Sequence, residues 1–327
     1  MNRRGFLAGL TAGLAGSTIT TGAARAQAAA SPPMLERLTL FVPTSLGGGA
    51  ARCATAIGEV LRAESLVGQL DTVYAPAETS AALVRFLELG RGPDDVIMVT
   101  GASLIGAGIL QRAPLELVLG APIARIACEH LVLAVAWNSD IDTLKELTIG
   151  LQLEPATIRF AGGPRGGTEH LLVADLARQA GIEPQRLAYV SRPPGETTGA
   201  QIFSGQANCA VGGLSELQLD ISLGRLRGLA ISSSQRLPGV NIPTFGEMGV
   251  DLRMDNWRGI FAPPESSPEQ RERLAGLIAR LVRTPSWRAK LFQHNWMSAY
   301  LPMPAFGDFV TTNIAQTRRQ LAEFGLS

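Results

Sequence analysis

Short continuous apolar runs alternate along the chain with longer stretches in which apolar residues recur at helical spacing. Leu38 to Val42, Val96 to Thr100, Leu131 to Val135 and Leu229 to Ile231 predict buried strands, with Ile158 to Ala161 a weaker one. Segments 54–62, 79–89 and 168–180 predict amphipathic helices between them. The alternation predicts an α/β architecture whose sheet is covered on both faces. The clearest helix is C-terminal. Ser267 is placed to cap it, Pro268 occupies its first turn, and Gln270 completes a capping box. Leu274, Leu277, Ile278, Leu281 and Val282 form its apolar face, and Pro285 is expected to stop it. A last helix is predicted from Pro304 to Glu323, ending at Gly325.

The first 26 residues follow a different pattern. Arg3-Arg4-Gly5-Phe6-Leu7 leads into a weakly apolar run, and Ala24-Arg25-Ala26 supplies an A-x-A cleavage pattern. This reads as an export signal of the twin-arginine type, too short and too rich in Gly and Thr to span a membrane. The mature protein is expected to be periplasmic. Its chemistry is then not expected to draw on ATP or NAD.

The 327-residue length suggests two domains. The chain carries 29 basic and 28 acidic residues, for a net charge of +1, with no concentrated basic stretch. Nucleic acid is therefore not an expected partner. Three cysteines without CxxC spacing and three scattered histidines argue against a disulfide framework or a zinc site. The chain has no G-x-S-x-G elbow, H-E-x-x-H, nucleotide P-loop or dinucleotide fingerprint. No acid–base or covalent constellation is evident, so the expectation is a non-enzyme without metal or cofactor.

Three strand-to-helix junctions carry the candidate chemistry. In Val42 to Gly49, and on to Ala50, the glycines let backbone N–H groups approach a ligand at a helix N-terminus, where an anion is favoured. In Phe160 to His170, Thr168 is the expected N-cap and Arg165 offers a bidentate charge. His170 is expected to pack or cap rather than catalyse. In Tyr189 to Thr197, Ser191 and Arg192 are expected to face the same crevice as the second loop, provided the strands are neighbours. Ser215-Glu216 reads as a loop bonding to a ligand or hinge.

From Arg37 onward the chain resembles the extracytoplasmic solute receptors of tripartite tricarboxylate transporters, the Bug-type receptors. The resemblance rests on ordered motifs: Val42-Pro43 with Gly47-Gly48-Gly49; Ala161-Gly162-Gly163 with Gly166 to Leu171; Gly224 to Ala230; Arg236-Leu237-Pro238-Gly239; Ile242-Pro243-Thr244 with Glu247-Met248-Gly249; and Asn256 to Pro264. It implies a type II periplasmic binding protein, with two α/β domains, a hinge and an interdomain ligand cleft. Domain 1 would comprise 35–138 and 258–327, and domain 2 would comprise 139–257. Crossings would fall near Trp137–Asp140 and Asn256–Phe261. It further implies a monomer that captures a small organic di- or tricarboxylate and delivers it to membrane transporter subunits. The implied contacts are the backbone of Thr44, Ser45, Gly47, Gly48, Gly49 and Ala50, and the region from Gly163 through Gly166 and Gly167 to Thr168. Arg165, Ser191 and Arg192 join them from the residue reading. The chain departs from the family pattern at Ala51, where an Asp is usual, at Ala77-Glu78-Thr79-Ser80, and at Arg165 and Arg192. These changes are expected to make the crevice more positive, with Glu78 partly offsetting. A sensor feeding a membrane kinase and a periplasmic hydrolase are the alternatives.

Overall fold

The computed structural model describes residues 32–44, 46–75, 79–92, 95–193 and 195–327. The expected signal segment, Ser45, and Ala77-Glu78 lie outside the described residues. The first half runs β1 (Leu35–Val42), α1 (Gly49–Ala63), β2 (Val67–Tyr74), α2 (Thr79–Leu89), β3 (Asp95–Gly101), α3 (Ala102–Leu110), α4 (Leu115–Val118) and β4 (Pro122–Ala136). There follow α5 (Leu144–Leu153), β5 (Arg159–Gly162), α6 (Thr168–Gln179), β6 (Ala188–Ser191), α7 (Thr198–Phe203), β7 (Cys209–Gly213), α8 (Leu214–Ser222) and β8 (Leu226–Ile231). The chain ends with β9 (Asp255–Phe261), α9 (Pro268–Arg283), α10 (Pro285–Gln293), β10 (Met297–Pro302) and α11 (Ala305–Glu323).

These strands form one mixed sheet in the order β2-β1-β3-β9-β4-β7-β5-β6, with β8 and β10 also on β4. β1 pairs in parallel with β2 and β3, and β5 pairs in parallel with β6 and β7. Every pairing made by β4 is antiparallel. Its partners change along its length. Pro122 to His130 pair with β9, and Leu131 onward pair with β7 and β8. β4 thus belongs to two half-sheets, and the change falls between His130 and Leu131, ahead of Trp137.

Each half-sheet is buried on both faces, as its apolar strands require. Leu38, Leu40 and Val42 of β1 pack with Ile57 and Leu61 of α1 and with Leu274 and Leu277 of α9. Phe41 faces the other way, toward Leu83 and Phe86 of α2 and Phe306 of α11. In β4, Leu131, Leu133 and Val135 pack with Leu147 of α5 and Leu172 of α6, while Val132 and Ala134 pack with Ile202 of α7 and Leu217 of α8. This is the period of two that a strand imposes.

The predicted strands and helices coincide with observed elements, overrunning them by one residue at Ile158, Ala180 and Pro304, and the Ser267–Gln270 capping box is present. Pro285 does more than stop a helix. Thr284 closes α9 and, by accepting from the Trp287 N–H, opens α10, with Pro285 in its first turn. The strand β9 is not evident from the apolar pattern, because two of its buried residues, Asn256 and Arg258, are polar.

Candidate solute-binding site

The C-terminal ends of β1, β3, β5 and β6 converge on a cavity of about 100 Å³ between the half-sheets. Its wall includes Thr44 and Gly48 from the first loop, Gly49 and Ala50 at the head of α1, Gly101 and Ser103 at the head of α3, Gly163 and Pro164 from the second loop, Glu169 in the first turn of α6, Arg192, and Arg258 of β9. The volume is well below the ~300–1,000 Å³ of pockets for drug-sized ligands, so it suits a molecule of few heavy atoms.

Three helices start at this cavity, and all three start without a side-chain cap. α1, α3 and α6 have Gly48, Gly101 and Gly167 at their N-caps, and no side chain accepts from their first N–H groups. By contrast, Thr143, Thr197, Ser267 and Thr284 each accept a backbone N–H at the start of α5, α7, α9 and α10, whereas α4, α8 and α11 also start without a side-chain cap. The first turns of α1, α3 and α6 therefore keep donors and the positive end of the helix field available.

Arg258 brings a positive charge to the starts of α1 and α3. It is buried, and its Nη2 donates to Glu129 Oε1 at 2.8 Å while Nη1 donates to Asn256 Oδ1. Glu129 also accepts from Ser215 Oγ at 2.6 Å. The Arg258 Nε has no hydrogen-bond partner among the described residues. Gly49 must be glycine here, because a Cβ would stand 2.0 Å from Arg258 Nη2. Sequence reading placed Arg258 only in a motif; an arginine inside a Trp-Arg-Gly-Ile-Phe run was the available signal of a buried cation.

Arg192 lines the cavity, yet it is not a free cation. Its Nη1 donates to Glu216 Oε1 at 2.6 Å, and Arg52 of α1 reaches Glu216 Oε2 at 3.4 Å. Glu216 Oε1 also accepts from the Thr198 N–H and hydroxyl. Burial would raise the Glu216 carboxyl, but Arg192, Arg52 and these hydrogen bonds outweigh it and hold it below the usual carboxylate range. Ser215 and Glu216 sit in the first turn of α8 rather than in a loop. The crevice is accordingly less positive than expected, since Arg192 and Arg258 both arrive with a carboxylate.

Of the other expected contacts, Thr44, Gly48, Gly49, Ala50 and Gly163 line the cavity with Arg192. Gly47, Gly166, Gly167, Thr168 and Ser191 are not part of its wall, and Ser191 is exposed although β5 and β6 are neighbours. Arg165 is exposed and donates to the Tyr189 carbonyl at 3.2 Å, away from the cavity. Thr168 does not cap α6: Gly167 holds the N-cap position, and the Thr168 hydroxyl lies 2.6 Å from Ser103 Oγ and contacts Glu169. Ala51 packs in the core beneath α1 and is not part of the cavity wall. His170 is structural: its Nδ1 accepts the Gly166 N–H at 3.0 Å and its ring lies on Tyr189. Burial and the Arg165 charge lower it to about 4. Among the described residues no group of His, Cys, Asp and Glu could hold a metal.

A solved structure of MatC from Rhodopseudomonas palustris with bound malate superposes with a TM-score of 0.73, at 17% identity, covering 88% of this chain and 99% of that one. R. palustris Rpa4515 with adipate gives 0.72 at 20% identity, covering 90% and 98%. These likenesses establish the binding-protein fold. By sequence, the UPF0065 protein in the tcbD-tcbE intergenic region of a Pseudomonas species is 24% identical over 334 aligned positions, which cover 100% of this chain and 96% of that protein. The family model for the tripartite tricarboxylate transporter family receptor matches residues 116–326, more than half of the chain and one side of the cavity with Arg258, and the chain belongs to that family.

Proposed function

We propose that this chain is a periplasmic receptor that captures a small organic carboxylate and hands it to a tripartite tricarboxylate-type membrane transporter. The observation that carries the reading is the convergence of three helix N-termini without side-chain caps on one small cavity, beside the unpartnered Nε of Arg258. A carboxylate placed there accepts backbone N–H groups that have no internal partner and gains a charge-assisted bond from Arg258. The malate and adipate bound by the two structural neighbours are acids of this size class. In this reading 35–138 with 258–327 forms one lobe and 139–257 the other, and the lobes part to admit the ligand. No helix among the described residues is long and apolar enough to cross a membrane.

Titration calorimetry and thermal shift on residues 27–327, with malate, adipate and citrate, test the reading. Ligand at a hundred times its Kd stabilises the native state by about 2.7 kcal/mol, which raises Tm by several degrees. A folded protein that gives neither heat nor shift with any of a panel of C3 to C6 carboxylates overturns it.

A further inference from the structure

The acid left over in the cavity wall points to a second pole of the ligand. Three buried carboxylates stand around the site. Glu129 has Arg258 and Glu216 has Arg192 and Arg52. Glu169 is buried to more than nine-tenths and lines the cavity, yet no described cation makes a contact ion pair with it, the Arg192 guanidinium acting on it only from farther off. Its partners are hydroxyls: Ser103 Oγ and Thr168 Oγ1 each lie 3.1 Å from Oε2 and 2.6 Å from one another. Two hydroxyl protons must serve those three contacts. Among the described residues nothing donates to Oε1.

The second loop is shaped around this carboxylate. A Cβ on Gly163 would stand 2.6 Å from Glu169 Oε2, one on Gly162 3.1 Å from Glu169 Cβ, and one on Gly167 3.4 Å from Oε2. At Gly163 the space that suggests close approach of a ligand to backbone is taken by an acidic side chain, whereas a Cβ on Gly162 or Gly167 would first meet the Tyr189 hydroxyl or the Pro164 carbonyl. A charge held this far from water, with neutral donors only, is costly unless a cation completes it.

Resting on the carboxylate reading above, we propose that the physiological ligand is zwitterionic: its carboxylate lies at the helix ends and Arg258, and an ammonium group is received by Glu169. The cavity is then bipolar, with one wall built for an anion and the facing carboxylate for a cation, so that each pole of such a ligand meets a group of opposite charge.

Matched trios that differ at one substituent test this. Aspartate, malate and succinate share a four-carbon diacid skeleton and carry ammonium, hydroxyl and hydrogen at C2; 2-aminoadipate and adipate form a longer pair. The expected calorimetric result is that the amino member of a set binds at least ten-fold tighter than its partners. In Glu169→Gln that preference should fall to within about two-fold, with binding of the plain diacid kept or improved. Equal or tighter binding of malate, succinate or adipate by the wild type overturns the proposal and leaves the carboxylate reading intact. A preference that survives Glu169→Gln also overturns it, since the ammonium is then recognised elsewhere. Absence of binding across both sets, by protein shown folded by circular dichroism, counts against the carboxylate reading itself.

Discussion

Arg258 and Glu129 are each buried and each satisfied chiefly by the other, so removing one strands its partner in a low-dielectric site. Arg258→Ala is expected to destabilise the ligand-free protein by about 3–5 kcal/mol, measured by urea unfolding. The pair Arg258→Met with Glu129→Gln is expected to recover most of that loss, because no uncompensated charge remains. Equal loss in the single and double variants would show that packing rather than charge sets the cost. His170 gives a second prediction, in pH. The folded imidazole is held neutral down to about 4, whereas the unfolded one takes up a proton below about 6.5. Its contribution is therefore complete above pH 6.5 and is lost as pH falls toward 4, by roughly 3 kcal/mol. Urea midpoints of the wild type should fall more steeply over that window than those of His170→Gln; parallel slopes would refute it.

At the level of elements, the three helices that start at the cavity all lack side-chain caps, whereas α5 and α9 each open with a capping box. Bound carboxylate is expected to act as the missing N-cap of α1, α3 and α6. Hydrogen exchange should slow in their first turns on saturation with whichever panel acid binds, while the capped first turns of α5 and α9 stay unchanged. Uniform slowing in all five would point to global stabilisation alone. The same contrast explains what sequence made legible. Ser267-Pro268-Glu269-Gln270 announces a helix start in the residues themselves, and the apolar runs of β1, β3 and β4 announce buried strands. The glycine loops announce a site, though not what fills the space that their missing side chains leave. Glu169, Glu129 and Arg258 come together from α6, β4 and β9, and no local spacing encodes that meeting. Arg165 looked as suitable as Arg192 in sequence. Arg192 is drawn inward by Glu216, a partner that lies 24 residues away and becomes visible only when α8 packs against β7 and α7.

For the whole molecule, the two-lobe reading makes one close approach between backbones a test of closure. A Cβ on Gly106 of α3 would stand 1.8 Å from the Gly166 carbonyl oxygen, in the loop before α6. Valine at 106 is expected to hold the two lobes apart. Gly106→Val should keep its circular dichroism spectrum, show a larger radius of gyration by X-ray scattering, and lose carboxylate binding although residue 106 is outside the cavity wall. An unchanged radius with normal affinity would show that this contact does not govern closure.

The shared strand has a consequence for how such a molecule is divided. Both β7 and β8 find their antiparallel partner in β4, which lies at 122–136, outside the segment 139–257 that carries the rest of that lobe. Excised on its own, 139–257 would retain α5 to α8 yet leave β8 without any strand beside it and the faces of β7 half bare. The segment 139–257 is therefore not heritable as a cassette, in keeping with the packing of 32–327 as one compact unit. A recombination event that moved it without β4 would deliver an aggregation-prone edge rather than a binding surface. The unit that can be exchanged between receptors of this architecture begins at Pro122 or earlier, and it brings Glu129 with it.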